Sequence, residues 1–456
     1  MRVIALLALA ILPSSLAGQE ITGEWHGVLD VQGTQLRLAF HIEQTDSGYV
    51  TTMDSPDQGA SGIPIAVTKY TAPDLRLELP NISAVYVGTV AGLSISGTWT
   101  QGITTLPLVL TRERAAAVRR NRPQEPVRPY PYHEQAVVIR NAQDDVTLAG
   151  TLTLPANAGP HPAVVLISGS GAQNRDEELF GHRPFLVLAD HLTRLGIAVL
   201  RYDDRGTGQS TGSFATATSR DFAADAASAV AYLASHPEID RYRIGLIGHS
   251  EGALVAPMVA TRSSDVAFIV LLAGIGLPGR EVSLLQSRDL RPFPVPDEAV
   301  YDRFTRTSID IASSSADLAT KRAELTRHYE SIAPVLESVL PDGVMVDEFI
   351  AQQVADMTRP WHQFFLTYDP GTDLEKVTVP VLSLNGSNDV QVPAALHQDG
   401  IRRALERGGN VTFLIGELPG LNHMFQESET GAMNEYAMIE QTFSPVALNA
   451  ISNWMA

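Results

Sequence analysis

The chain has 456 residues, 44% of them hydrophobic, with a net charge of −18 and no cysteine. Its length suggests two or three domains around ordinary globular cores. The acidic balance argues against nucleic acid or an anionic membrane surface as partner, because both need clustered Lys and Arg, and the lack of Cys excludes disulfides and any thiolate nucleophile or metal ligand.

Met1-Arg2, the apolar run from Val3 to Leu12, and small residues at Ser15 and Ala17 read as a signal peptide over 1–18, cut after Ala17 or Gly18. The run is too short to span a bilayer, and no later segment approaches that length. The protein is therefore expected to be periplasmic or secreted. Residues 19–112 read as a small all-β barrel or sandwich. Leu36, Leu38, Phe40 and Ile42 alternate with other residues, as do Leu75, Leu77 and Leu79. The spacing of turn signals gives about six to eight strands. Trp25 and Trp99 are expected to fill that core. Residues 113–133, rich in Pro and Arg, read as a solvated linker that packs poorly.

From 134 the texture becomes α/β. Strands are expected near Ala136–Arg140 and Val146–Leu154, and the continuous apolar run Ala163–Ile167 marks a strand buried on both faces. Helical patterns at Leu186–Leu195 and Phe222–Leu233 alternate with strands at Ile197–Tyr202 and Phe268–Leu272. Such alternation predicts a mostly parallel doubly wound sheet. It stops after Gly274. Residues 281–370 hold only helical patterns, clearest at Ala319–Tyr329 and Val346–Met357, and read as a cap inserted into a core formed by 134–280 and 371–456. Strands at Pro380–Leu384 and Val411–Ile415 and a helix at Val446–Met455 complete that core.

Gly248-His249-Ser250-Glu251-Gly252 lies between a strand pattern and a helix pattern, the setting of a nucleophile elbow. A serine hydroxyl needs a base, and the base needs an orienting acid. In this arrangement the acid and then the histidine follow the last strands. Asp389, in the turn after Leu384, fits the acid better than Asp373 or Asp399, and His423, in a glycine-bearing loop after the last strand, fits the base better than His397 or His362. Two N–H donors must hold the oxyanion. One is expected from Glu251, the other from Ser170, or else Gly171, in the loop after Ala163–Ile167. The Glu251 side chain either adds charge to the site or points away along its helix, and the second is preferred. The turn Asp203-Asp204-Arg205-Gly206-Thr207-Gly208-Gln209-Ser210 reads as a salt-bridged structural loop more than a substrate contact. No H-E-x-x-H or paired-His motif appears, so no metal or cofactor is expected.

Three motifs resemble the α/β-hydrolase superfamily over 134–456, and more narrowly exported bacterial serine carboxylesterases with an N-terminal β domain. They are Gly169-Ser170-Gly171 with Asn174-Arg175-Asp176, the turn Asp203–Ser210, and Gly248–Ala253. The resemblance implies hydrolysis of small acyl esters by Ser250, His423 and Asp389. It extends to serine aminopeptidases and acyl-peptide hydrolases, which would use the same triad with an acidic cap residue, such as Asp347 or Glu348, to hold a substrate amine. A binding protein on an inactive hydrolase scaffold is the third reading. Oligomeric state is left open. Asn174 stands where related loops often have Asp, which leaves that side chain's role unassigned.

Overall fold

The computed structural model describes residues 20–456 apart from 32–33, 47, 59, 80–83, 102–103, 115–120, 291–296 and 340–344. The expected signal segment lies outside these residues. Nine antiparallel strands come first: β1 (Gly23–Val31), β2 (Thr34–Thr45), β3 (Gly48–Ser55), β4 (Ala60–Ile65), β5 (Val67–Thr71), β6 (Asp74–Leu79), β7 (Ala84–Ala91), β8 (Ser94–Gln101) and β9 (Thr104–Thr111). Their order is β4-β3-β2-β1-β9-β8-β7-β6-β5. The two edge strands, β4 and β5, are consecutive in the chain, so the sheet curls into a nearly closed barrel. It has more strands than the periodicity suggested, because β5 buries no side chain and leaves no apolar alternation to read. Trp25, Phe40, Leu75, Leu77, Leu79 and Tyr86 fill the interior, with Trp99 beside them. The polar tips inside are satisfied: Trp25 Nε1 donates to the Ile21 carbonyl at 2.7 Å and the Tyr86 hydroxyl to the Ile95 carbonyl at 3.0 Å.

The segment after the barrel packs against the chain's far end, contrary to the reading of 113–133 as a poorly packing linker. The Arg122 guanidinium donates to the carbonyls of Ile439 (2.6 Å), Ala437 (3.0 Å) and Gly181 (3.0 Å). Gln124 accepts from the Thr442 and Phe443 N–H groups and donates to the Phe443 carbonyl. A polar side chain that reaches several backbone carbonyls docks a proline-rich stretch without an apolar surface.

The second sheet and its helices follow: β10 (His133–Asn141), β11 (Val146–Leu154), β12 (His161–Ile167), α1 (Pro184–Arg194), β13 (Ala198–Tyr202), α2 (Ser219–Ser235), β14 (Ile239–His249), α3 (Glu251–Ala260) and β15 (Val266–Leu272). Helices α4 (Gly279–Asp289), α5 (Glu298–Ala312), α6 (Leu318–Glu330), α7 (Ala333–Val339), α8 (Val346–Thr358) and α9 (Pro360–Thr367) form an insertion. Then come α10 (Gly371–Leu374), β16 (Val381–Gly386), α11 (Ala394–Arg407), β17 (Phe413–Leu418), α12 (Met433–Tyr436) and α13 (Pro445–Met455). The strand order is β10-β11-β13-β12-β14-β15-β16-β17. β11 is antiparallel to both neighbours, and the strands from β13 to β17 run parallel.

Side chains of a strand alternate between faces, and β12 shows the consequence. Ala163, Val165 and Ile167 join a core with α2, α3 and α11, whereas Val164 and Leu166 join one with α1 and α13. Both faces are covered, so the sheet is an apolar slab whose functional groups can emerge only at its strand ends. The insertion has its own small core of Ile309, Leu325, Ile350 and Val354, and Glu348 of α8 pairs with Arg76 of the barrel. No helix among the described residues is long and apolar enough to cross a membrane.

The turn from β14 into α3 leaves no room for side chains at its two glycines. A Cβ on Gly248 would stand 2.1 Å from the Gly252 carbonyl oxygen, and one on Gly252 would stand 2.0 Å from the Ile167 carbonyl oxygen. Gly252→Ala must therefore push α3 away from β12. It should destabilise by about 1–3 kcal/mol or more, as overpacking does, and a thermal melt that matches the parent protein would contradict this geometry. Arg122→Ala should leave both sheets folded but cost about 1–3 kcal/mol from the abandoned carbonyls. Faster protease cleavage near 121–132 is the expected readout, and an unchanged cleavage rate would show that the docking adds nothing.

Candidate active site

Ser250 sits between β14 and α3 with φ 52° and ψ −112°. A positive φ costs a non-glycine residue about 1–3 kcal/mol; here the flanking strand and helix impose it. The Ser250 N–H donates to the Leu272 carbonyl at 2.8 Å, which fixes the turn to β15. Gly169 lies close by, since a Cβ there would be 3.2 Å from Ser250 Cβ. The loop after β12, which carries Ser170, therefore meets the elbow without an intervening side chain. Among the described hydrogen bonds none uses the Ser170 or Glu251 N–H, whereas the Gly169 N–H is given to Glu177 Oε1 at 2.7 Å.

Asp389 and His423 come together as their positions after β16 and β17 suggest. His423 Nδ1 lies 2.8 Å from Asp389 Oδ2, and both side chains are buried. Asp389 Oδ1 accepts from the Gln391 (2.9 Å) and Val392 (2.8 Å) N–H groups, so the carboxylate is held from two sides. The loop of His423 is held from within by Asn422 Oδ1, which accepts from the Met424 and Gln426 N–H groups. It is pressed onto β16 where Gly386 meets the Leu421 carbonyl. Among the described residues no hydrogen bond joins Ser250 Oγ to the His423 imidazole. Such bonds often form only once a substrate is seated.

The rejected alternatives have other partners. His397 Nδ1 accepts from the Gly276 N–H at 3.1 Å, and burial draws its pKa down to about 4. Burial does the same to His362, also to about 4. Asp373 accepts from the Tyr368 hydroxyl, and Asp399 pairs with Arg403.

The Asp203–Ser210 turn braces the site. Asp203 takes the Arg175 guanidinium at 2.7 and 2.9 Å and its N–H at 2.9 Å. Asp204 accepts from Ser168 Oγ at 2.8 Å and the Gln173 N–H at 3.0 Å, gripping both ends of the loop that holds Ser170. Burial pushes the Asp204 carboxyl well up, against those two hydrogen bonds. Arg205 ties Asp225 of α2 (2.7 Å) to Asp144 (2.8 Å). Asn174 Oδ1 accepts from the Asp176 and Glu178 N–H groups, which caps the turn.

Glu251 departs from the expectation that its side chain points away along the helix. It is buried, and Oε1 accepts from Ser219 Oγ (2.6 Å) at the start of α2 and from Trp361 Nε1 (2.7 Å) of α9. Burial pushes its pKa up, against those donors. A residue beside the elbow thus touches the insertion, where Trp361 stacks on Phe365 with ring centroids 5.0 Å apart. Trp361 carried no signal in the sequence, since an aromatic in a helical pattern reads as core. Glu177 and His249, which lie 2.8 Å apart beneath the site, were equally missed. The one sign of His249 was its place before the nucleophile.

Several known proteins are similar to parts of this chain. The family described as X-Pro dipeptidyl-peptidase (S15 family) matches residues 144–398, a span that includes Ser250 and Asp389 and ends before His423. Esterase EstD of Thermotoga maritima is 26% identical over 318 residues, 69% of this chain and 67% of that protein. Among solved structures, an esterase of Pyrococcus furiosus, Pf2001, is 17% identical with a TM-score of 0.39, covering 66% of this chain and 90% of that one. Est1E of Butyrivibrio proteoclasticus, with ferulic acid bound, is 17% identical with a TM-score of 0.41, covering 70% and 98%. With its doubly covered parallel sheet, its elbow and more than half its length within the matched span, the chain is an α/β-hydrolase and belongs to the X-Pro dipeptidyl-peptidase (S15) family.

Proposed function

We propose that this hydrolase is a serine carboxylesterase that acts on small acyl esters through an acyl-enzyme. The observation that carries the reading is the 2.8 Å contact between His423 Nδ1 and Asp389 Oδ2. A carboxylate there holds the proton on Nδ1 and leaves Nε2 as the base. Ser250 Oγ attacks the acyl carbon as Nε2 takes its proton. Electrons move onto the carbonyl oxygen, which the Ser170 and Glu251 N–H groups receive. The imidazolium, stabilised by Asp389, then protonates the leaving alcohol. Water repeats the sequence to release the acid and regenerate Ser250. The insertion, reaching the elbow at Trp361, is the element that would limit acyl length.

A second reading, release of dipeptides, is favoured by the family itself. It needs an acid to grip the substrate amine. Glu348, one of the acids in view for that role, is paired with Arg76 of the barrel, and Asp347 is exposed. This supports the ester reading. Turnover on p-nitrophenyl esters from acetate to long chain, set beside X-Pro and aminoacyl p-nitroanilides, separates the two. Short esters should be preferred, and faster anilide cleavage would move the assignment to peptidase. Ser250→Ala should abolish turnover with an unchanged melt, and Asp389→Asn should lower kcat by about 10³- to 10⁴-fold. Retained activity in Ser250→Ala would end the assignment. Export belongs to the same proposal and rests on residues 1–18. The mature protein should begin just after Ala17 or Gly18, and recovery of the chain in the cytoplasm with Met1 retained would refute it.

A further inference from the structure

His249 has a hydrogen-bond acceptor at each ring nitrogen. Nδ1 lies 2.8 Å from Glu177 Oε1, and Nε2 lies 2.9 Å from the carbonyl oxygen of His423. A carbonyl can only accept, so Nε2 must carry a proton. Glu177 Oε1 also accepts the Gly169 N–H at 2.7 Å, and an ionised carboxylate there accepts from Nδ1 too. With Glu177 ionised, both ring nitrogens are donors and the ring is an imidazolium. Both side chains are almost fully buried, at 8% and 4% exposure, so the charge on one needs the charge on the other. Glu177 is held at φ 51°, a left-handed backbone that a non-glycine residue adopts only under constraint.

This pair joins the two loops that the proposed reaction depends on. Through Gly169 it fixes the strand end that presents Ser170. Through the His423 carbonyl it fixes the backbone of the catalytic histidine. We propose that the His249 imidazolium and the Glu177 carboxylate act as one positioning unit, which sets the oxyanion loop and the histidine loop relative to Ser250. The inference rests on the Ser250–His423–Asp389 reading. Neither residue touches the reacting atoms.

The groups facing His249 are few. Glu177 comes from the loop after β12. The His423 ring, from the loop after β17, lies 4.8 Å away between centroids, and Asp389 from the loop after β16 acts at longer range. Among the described residues the cavity that the pair lines is otherwise apolar, walled by Pro184, Phe185, Leu272, Met424, Phe425 and Phe443. Burial lowers the His249 pKa, but the charge and hydrogen bond of Glu177, together with the His423 carbonyl and Asp389, more than offset it, and the net direction is upward. A histidine with a raised folded-state pKa contributes its stabilisation at low pH and loses it as pH rises through that value. Positioning should therefore fail on the alkaline side, above the ordinary histidine range of about 6.5.

The experiment is a set of pH–rate profiles for the parent enzyme, Glu177→Gln, His249→Gln and the double variant, with Ser250→Ala as control. Glu177→Gln keeps an acceptor for Gly169 but removes the charge that holds the His249 proton. Its alkaline limb should move to lower pH, with activity largely kept on the acidic side. His249→Gln should lower kcat by about 10- to 100-fold, the effect of a small misplacement, with KM little changed and the alkaline limb of this group absent. The double variant should be no worse than His249→Gln. In the parent, nitrogen-15 NMR should find both His249 ring nitrogens protonated at neutral pH, a readout that survives if a variant fails to fold. A neutral His249 in that spectrum, or a Glu177→Gln limb at the parental pH, overturns the proposal. If instead Ser250→Ala stays active, the triad reading fails, while the NMR result still decides the state of the pair.

Discussion

The backbone crowding at the carboxyl end of β14 is the constraint on which the rest of the molecule depends. Gly248 touches the backbone of Gly252, Gly252 touches Ile167 of the neighbouring strand, and Gly169 lies against Ser250. Three chain segments meet with no side chain between them. Only that approach lets a serine at φ 52° rise beside the loop that follows β12. The strain has to be absorbed by a rigid surround, and the sheet supplies one by being covered on both faces.

Around this crowded point the structure uses buried polar groups where an apolar core would have served stability as well. Asp203, Asp204 and Arg205 each reach a different segment: the turn at Arg175, the loop at Ser168 and Gln173, and helix α2 at Asp225. Buried ionic groups gain little net free energy over well-packed hydrophobes. What they add is direction, because a carboxylate with its donors in place tolerates few alternative loop positions. The pair of Glu177 and His249 extends the same logic beneath the nucleophile, and Asn422 extends it into the histidine loop.

How legible this was in the sequence follows from the range of each interaction. Ser250, Asp389 and His423 could be picked out because strand periodicity fixes which loops share an end of the sheet, and the contact of Asp389 with His423 follows from that topology. The helices of the insertion were legible for the same reason: Leu318–Glu330 and Val346–Thr358 carry their own period. Strand β5 was not, because its side chains are all at least partly exposed. The docking of Arg122 and Gln124 onto residues 437–443 was hidden because backbone carbonyls more than three hundred positions away leave no trace in composition. Glu177 was hidden likewise. It is one acid in a polar loop, and its meaning comes only from what the fold sets against it.

Glu251 shows how these parts connect to specificity. One carboxyl oxygen receives Ser219 of α2 and Trp361 of α9, so the helix that begins at the nucleophile is tied directly to the insertion above it. At its other side the insertion meets the barrel through Glu348 and Arg76. The insertion is therefore held between the elbow and the barrel, and its aromatic helix α9 cannot shift without disturbing a buried carboxyl. A change that moves α9 therefore acts back on the helix that begins at the nucleophile, and this coupling is how the insertion reaches the chemistry.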